Sequence, residues 1–246
     1  MRRIPVFAVG TYYTPKCATA GENAWGMRRL VWWAKNSPDK ENRADWVNHS
    51  GHPAGTPLWV SSPAIAYGYV AAIVRQNIST IRDVLEVRPE ESLVFVPVPS
   101  SDVTLATTHT ARWSGREIAR RLKNVQLGWW LGPLVVNQKP VGTKTKGNDL
   151  TFDELRQNYI LSEGSTTPRG RVIYIDDVLT NGTHIAALDD FLGRPPGAGA
   201  ICIGTTDTVE RNAYDFRYRV IVAGRPYAWV SELYGDNEEP DYEDWD

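Results

Sequence analysis

Short apolar runs alternate with amphipathic segments along most of the chain. The runs are rich in Val, Ile and Leu with no polar residue between them, which is typical of strands that are buried on both faces. In the amphipathic segments, apolar residues recur at helical spacing. The predicted strands are 93–98, 172–175, 200–204 and 218–223, and the predicted helices are 62–76, 113–122 and 183–192. This alternation predicts an α/β fold with a central, mostly parallel sheet flanked by helices.

Composition and charge are those of an ordinary globular protein. Of the 246 residues, 42% are hydrophobic and 23% are charged, which is enough to bury a core within a single domain. Lysine and arginine number 27 against 29 for aspartate and glutamate, so the net charge gives no general case for a nucleic-acid or membrane surface. Seven of the acids lie in residues 236–246, and we expect this acidic tail to be disordered. The 22 acids that remain against 27 bases leave residues 1–235 with a net charge of +5, which suits a phosphorylated small molecule.

Cysteine content and hydropathy predict a cytoplasmic protein. The two cysteines, Cys17 and Cys202, fit a reducing compartment. No apolar run reaches the roughly 18 residues that span a bilayer, and the N-terminal stretch turns polar too early for a signal peptide. His49 and His52 could supply half of a zinc site, but their polar, Gly- and Pro-containing surroundings favour a solvated loop.

The segment 171–187, RVIYIDDVLTNGTHIAA, carries the clearest chemical signal. An apolar strand leads into the adjacent carboxylates of Asp176 and Asp177, and a small polar loop then opens onto a helix. Unpaired N–H groups at the helix N-terminus would hold a phosphate, with Gly182 permitting the tight turn. A ribose 5-phosphate would also give the acids a role, because its vicinal hydroxyls could donate hydrogen bonds to them. The alternative is an acid pair that only caps the helix.

This segment resembles the signature of the type I phosphoribosyltransferases, which is an apolar strand, two acids, two apolar residues and a Thr/Gly-rich loop. The resemblance implies that Asp176 and Asp177 bind the ribose hydroxyls of phosphoribosyl pyrophosphate and act in catalysis. Asn181 and His184 stand where the family more often has hydroxyl residues. The substrate-binding residues implied by this segment are Val178, Leu179, Thr180, Asn181, Gly182, Thr183 and His184.

Other segments resemble the ComF and amidophosphoribosyltransferase-like branch of that family. The stretch VPVPSS at 96–101 resembles a strand end that the branch follows with a pyrophosphate-binding loop, here Ser100, Ser101 and Asp102, and Arg112 precedes the next helix as in the branch. Residues 138–149 correspond to a catalytic lid, in which Lys144 and Lys146 would close over the pyrophosphate. Residues 150–158, LTFDELRQN, resemble the stretch just after that loop, with Arg156 and Asn158 as the arginine and asparagine found there in the ComF branch. Residues 26–35 resemble a short basic and aromatic element that ends in lysine.

The resemblance implies an enzyme that uses phosphoribosyl pyrophosphate and Mg²⁺ to transfer ribose 5-phosphate to a nitrogen acceptor, a nucleobase or ammonia, with release of pyrophosphate. The Mg²⁺ would be held mainly by substrate oxygens and not by a set of protein ligands. The fold would have its core at 62–223 and a small hood from 1–61 and 224–235, and the chain could form a homodimer. Two alternatives stay open, a non-catalytic sensor of phosphoribosyl pyrophosphate or nucleotides and a ComF-like accessory protein of DNA uptake.

Overall fold

The computed structural model describes residues 2–13, 22–35, 45–47, 58–130, 132, 134–141, 151–166, 168–180, 182–207 and 217–222. The strands are β1 Arg3–Tyr13, β2 Asp45–Val47, β3 Leu58–Val60, β4 Leu93–Pro97, β5 Trp129–Trp130, β6 Val135–Asn137, β7 Tyr159–Leu161, β8 Arg171–Leu179, β9 Gly199–Asp207 and β10 Arg217–Val222. The helices are α1 Glu22–Lys35, α2 Pro63–Gln76, α3 Ile78–Val84, α4 Ser114–Asn124, α5 Phe152–Asn158 and α6 Thr183–Phe191. Each strand and helix predicted from the apolar pattern is present, with boundaries that differ by a few residues.

The main sheet is mostly parallel and has helices on both faces. Within the described residues it contains six strands in the order β10-β1-β9-β8-β4-β5, and only β10, at one edge, runs antiparallel to its neighbour. We call the side covered by α1, α2 and α4 the first face, where Leu30, Ile73 and Ile118 pack on the sheet. The second face is covered by α5 and α6, through Leu155 and Ile185 among others. The predicted α/β fold is therefore confirmed.

The expectation that residues 1–61 form part of a hood is wrong for β1 and α1. β1 lies inside the main sheet, paired with β9 on one side and β10 on the other. Met27 and Leu30 of α1 belong to the core of the first face. The apolar run from Ile4 to Val9 is long enough for a buried strand.

The other segments expected in the hood or the tail are β2, β3, residues 224–235 and residues 236–246. β2 and β3 pair with each other in a separate two-stranded sheet. Residues 224–235, expected in the hood, and the acidic tail at 236–246 lie outside the described residues.

Local signals set where the helices begin. Ser62 Oγ accepts a hydrogen bond of 3.3 Å from the Ile65 N–H at the start of α2. Thr151 and Glu154 form a capping box at the start of α5. α6 follows Gly182, whose φ of 73° lies in the left-handed region that favours glycine. Of the helices in the described ranges, none combines the length and the apolar character required to cross a membrane.

Gly115 sets how closely α4 approaches β8, and replacing it with alanine is expected to destabilise the fold. A Cβ at this position would lie 2.7 Å from the carbonyl oxygen of Ile175, so the helix or the strand would have to move. We expect Gly115→Ala to lower the free energy of unfolding by about 1–3 kcal/mol, measured by urea denaturation. Gly68→Ala is the matched control, because Gly68 is also in a helix but a Cβ there meets nothing within 4 Å. That variant should be neutral or more stable by about 0.5–1 kcal/mol, and equal losses in both would contradict the role of Gly115.

Candidate functional site

Asp176, Asp177 and the loop residues 100–102 lie where the winding of the sheet changes direction. From β4 the chain crosses through α4 on the first face to β5, whereas from β8 it crosses through α6 on the second face to β9. The loops that follow β4 and β8 therefore leave the same edge of the sheet toward opposite faces. In open α/β sheets, ligands bind in the crevice at such a point.

Asp176 and Asp177, the acid pair, lie within β8 and not after it. The predicted strand ended at Ile175, but the observed strand continues to Leu179 because its backbone stays paired with β9. On the other side, pairing with β4 ends as the Val98 N–H donates to the Ile175 carbonyl at 2.8 Å. The acid pair thus extends past the end of β4, with one edge of its backbone turned toward the crevice.

Asp177 lies on the first face and has two partners there. Ser114, the first residue of α4, donates from Oγ to Asp177 Oδ2 at 2.7 Å. Lys35, the last residue of α1, places Nζ 3.2 Å from Asp177 Oδ1, and the Asp177 side chain retains 16% exposure. Three elements therefore meet at one partly exposed carboxylate.

Asp176 lies toward the second face, where its charge acts on Tyr159 of that core. Burial and the charge of Asp177 raise the pKa of Asp176 to about 7, although the Asp177 N–H donates to its Oδ1 at 2.8 Å and the charge of Lys35 acts in the opposite direction. Burial, and after it the charge of Asp176, raise the pKa of Tyr159. Hydrogen-bond donors or a cation beside the acid pair would stabilise the ionised form of Asp176.

The raised pKa of Asp176 makes the stability of the fold depend on pH. The ordinary pKa of an aspartate is 3.8, so between about pH 4 and 7 the unfolded chain has released a proton that the folded chain keeps. The free energy of unfolding should therefore fall as the pH rises through this window, by about 1–4 kcal/mol from this group, and level off above it. In Asp176→Asn this component is removed, so urea denaturation should show the variant gaining stability relative to the parent as the pH rises. Parallel pH profiles for the two proteins would contradict the assignment.

The phosphate loop, residues 180–184, is built around Gly182. Gly182 is buried, occupies the N-cap position of α6, and accepts the Ala186 N–H at its carbonyl at 2.9 Å. Each acid instead accepts a hydrogen bond from the next backbone N–H of β8, so the alternative in which the acid pair only caps α6 does not describe this strand. Thr180 is exposed, Thr183 and His184 are partly buried, and Asn181 lies outside the described residues.

Val178 and Leu179, also predicted to bind substrate, pack in the core. Val178 packs against the core of the first face, and Leu179, 2% exposed, belongs to the core of the second face. Their side chains anchor the end of β8 on both sides. Leu179 would therefore contact a ligand only through its backbone, whereas the side chain of Val178 is partly exposed.

The serine loop, Ser100–Asp102, follows β4 at the same edge of the sheet as the acid pair. Its carbonyls are all occupied: Ser100 O accepts the Val103 N–H and Asn137 Nδ2, Ser101 O accepts the Val141 N–H, and Asp102 O accepts Thr107 Oγ1. These bonds fix the backbone of the loop.

Asn158, the last residue of α5, is bonded to Lys139 near the start of the predicted lid. Its Nδ2 donates to the Lys139 carbonyl at 2.9 Å, and its Oδ1 accepts the Lys139 N–H at 3.2 Å. Arg156 forms an ion pair with Asp190 of α6. Lys144 and Lys146, the lysines predicted to act in catalysis, lie outside the described residues.

Arg112 lines a cleft of about 440 Å³ between α2 and α4, and the lining of this cleft includes neither the acid pair nor the described residues of the phosphate loop. The neighbouring Trp113 is buried, and its Nε1 donates to the Val98 carbonyl at 2.7 Å. This bond ties the start of α4 to the end of β4, next to Ser114. Arg112 is therefore only two residues before Ser114 in the chain, but its side chain lines the cleft.

Lys35 and Ser114 are the site residues that sequence reasoning missed. The lysine that ends residues 26–35 was a signal for Lys35, but its partner Asp177 is distant in the chain and only the fold joins them. Ser114 stands at the start of a predicted helix, where a serine is ordinarily read as a cap. Its hydroxyl instead donates a hydrogen bond to Asp177 of β8.

The donor chemistry of the acid pair fits Mg²⁺. Carboxylate oxygens are the hard ligands that Mg²⁺ prefers, and a cation there would offset the repulsion that raises the pKa of Asp176. Among the described residues, no group of three or more His, Cys, Asp or Glu side chains is arranged to hold a metal. No protein-family model matches this sequence, and a comparison with curated proteins finds no match.

Proposed function

We propose that this protein is a phosphoribosyltransferase, which transfers ribose 5-phosphate from phosphoribosyl pyrophosphate to a nitrogen acceptor. The observation that carries the proposal is the position of the acid pair. It extends past the end of β4 at the point where the sheet changes winding direction, directly before a glycine-initiated helix. The resemblance of residues 171–187 to the type I signature supplies the substrate class.

The phosphate loop would bind the 5-phosphate. The backbone N–H groups at the start of α6 and the helix dipole both favour an anion, and Gly182 leaves room for it to approach the backbone. The ribose would then lie over the end of β8, where its 2- and 3-hydroxyls donate to the carboxylates of the acid pair. Lys35 and Ser114 hold Asp177 in place for this contact.

Transfer requires no covalent bond to the protein. The bond from the anomeric carbon to the pyrophosphate oxygen breaks, and its electron pair leaves with pyrophosphate. The lone pair of the acceptor nitrogen forms the new bond to carbon, and the nitrogen releases its proton to water. Positive charge develops on the sugar during this exchange, and the two carboxylates lie where they offset it. When bound, Mg²⁺ would supply positive charge beside the pyrophosphate oxygens.

Calorimetry and a pyrophosphate-release assay test the proposal together. With Mg²⁺ present, phosphoribosyl pyrophosphate should bind, and pyrophosphate should appear when ammonia or one of a panel of nucleobases is added. Asp176→Asn should lose both, and Asp83→Asn, at an exposed acid of α3, should keep both. Absence of binding by the parent protein would overturn the proposal. Binding with no pyrophosphate release from any acceptor would favour the sensor alternative.

A further inference from the structure

The cleft between α2 and α4 has one cationic wall and one apolar wall. Its volume is about 440 Å³, within the range of cavities that hold small ligands. Pro63, Ala64, Tyr67 and Ala111 contribute apolar surface. The cationic side is lined by His109, Arg112, Arg116, Arg120 and Arg121.

The arginines are held in place and remain in excess over acidic groups. Arg116 Nη1 donates to the Thr108 carbonyl at 2.5 Å, and its Nε lies 3.2 Å from Glu117 Oε1. Arg120 Nη2 lies 2.8 Å from Glu117 Oε2. Glu117 is the one carboxylate among the residues that line the cleft, against four arginines. A single acid thus orients two guanidinium groups and leaves a formal charge of +3 on the wall.

The cleft is distinct from the phosphate loop. It opens on the first face, whereas the phosphate loop leads into α6 on the second face. Neither the acid pair nor any described residue of the phosphate loop is among the residues that line the cleft. The two proposed sites therefore have no described lining residue in common, although the charge of Asp177 acts on Tyr67 in the cleft.

We propose that this cleft is a second binding site, for a phosphorylated small molecule of nucleotide size. Its phosphates would lie against Arg116, Arg120 and Arg121, because guanidinium groups bind phosphate oxygens in pairs. Its uncharged part would lie against Pro63, Ala64 and Tyr67. The site goes beyond the proposed function, since transfer at the acid pair does not require it.

Calorimetry with ADP as the probe tests the site, with adenosine and inorganic pyrophosphate as its two halves. ADP should bind, adenosine should not bind measurably, and the affinity for ADP should fall as salt is added. Arg120→Gln/Arg121→Gln should weaken ADP binding at least tenfold and leave the Arg116 contact to Thr108 intact. Arg88→Gln is the matched control, because Arg88 also pairs with a nearby glutamate but lies outside the cleft, and it should bind ADP like the parent.

A second variant distinguishes binding at the cleft from binding at the acid pair. Asp176→Asn should lose phosphoribosyl pyrophosphate binding but retain ADP binding. If ADP binding is instead lost in Asp176→Asn and kept in the arginine double variant, the nucleotide binds at the acid pair and the cleft proposal is overturned. Tight binding of a single-stranded oligonucleotide with no binding of ADP would also overturn it, in favour of a nucleic-acid surface. A parent protein that releases pyrophosphate but does not bind ADP would overturn this site and leave the proposed function standing.

Discussion

Asp177→Asn is expected to reduce pyrophosphate release by at least about 100-fold. The asparagine keeps the shape of the side chain and can still accept the Ser114 hydroxyl, but it removes the negative charge that would offset the developing charge on the sugar. It also leaves Lys35 without its carboxylate at 3.2 Å. The measurement is kcat/KM for phosphoribosyl pyrophosphate at a fixed Mg²⁺ concentration.

A second measurement on the same variant separates charge from folding. Because the charge of Asp177 contributes to the raised pKa of Asp176, that pKa should fall toward its ordinary value in Asp177→Asn. The pH dependence of the unfolding free energy should then become shallower. Asp83→Asn is again the control, with unchanged activity and an unchanged pH profile. Activity within threefold of the parent in Asp177→Asn would contradict a catalytic role for this carboxylate.

Arg2→Ala is expected to give the largest loss of stability, about 3–5 kcal/mol. Asp189 of α6 is 2% exposed at its side chain, and Arg2 forms a two-point ion pair with it, at 2.5 Å from Nε and 2.8 Å from Nη2. Tyr174 donates to the same carboxylate at 3.0 Å. Removing the guanidinium leaves a buried negative charge with only the tyrosine hydroxyl as a partner. Urea denaturation at neutral pH measures the loss.

The adjacent acid of α6 provides the control for this variant. Asp190 pairs with Arg194 at 2.6 Å, but the Arg194 side chain is 63% exposed. An ion pair in water contributes little, so Arg194→Ala should change the free energy of unfolding by less than about 1 kcal/mol. Similar losses in the two variants would mean that burial does not set the strength of the Arg2–Asp189 pair.

The parts of the fold that could be predicted are those with uninterrupted apolar strands. β4, β8 and β9 are buried on both faces, so their sequences show the pattern directly. The prediction of β8 stopped at Ile175 because two acids break that pattern. Pairing with β9 uses the backbone and continues to Leu179.

Shorter elements gave no comparable signal. β5 has two residues, and β6 and β7 have three each, which is too short for any periodicity to show. α5 could have been predicted, because Thr151 and Glu154 have the spacing of a capping box.

The candidate site was predictable only where its residues are contiguous. The acid pair and Gly182 lie in one segment, and that segment indicated both a phosphate and a sugar. The contacts of Lys35 and Ser114 with Asp177 join three elements that are separate in the chain. Arg112 illustrates the reverse case, since its neighbour Ser114 reaches the acid pair while Arg112 itself lines the cleft.

The place of β1 in the sheet also constrains how the protein folds as it is synthesised. Its partners are β9 and β10, at residues 199–222, so this apolar strand leaves the ribosome long before either partner exists. Such non-local pairing slows folding and leaves an apolar, aggregation-prone segment exposed in the nascent chain. We expect newly made protein to depend on chaperones until translation has passed β10, and fragments that stop before β9 to aggregate.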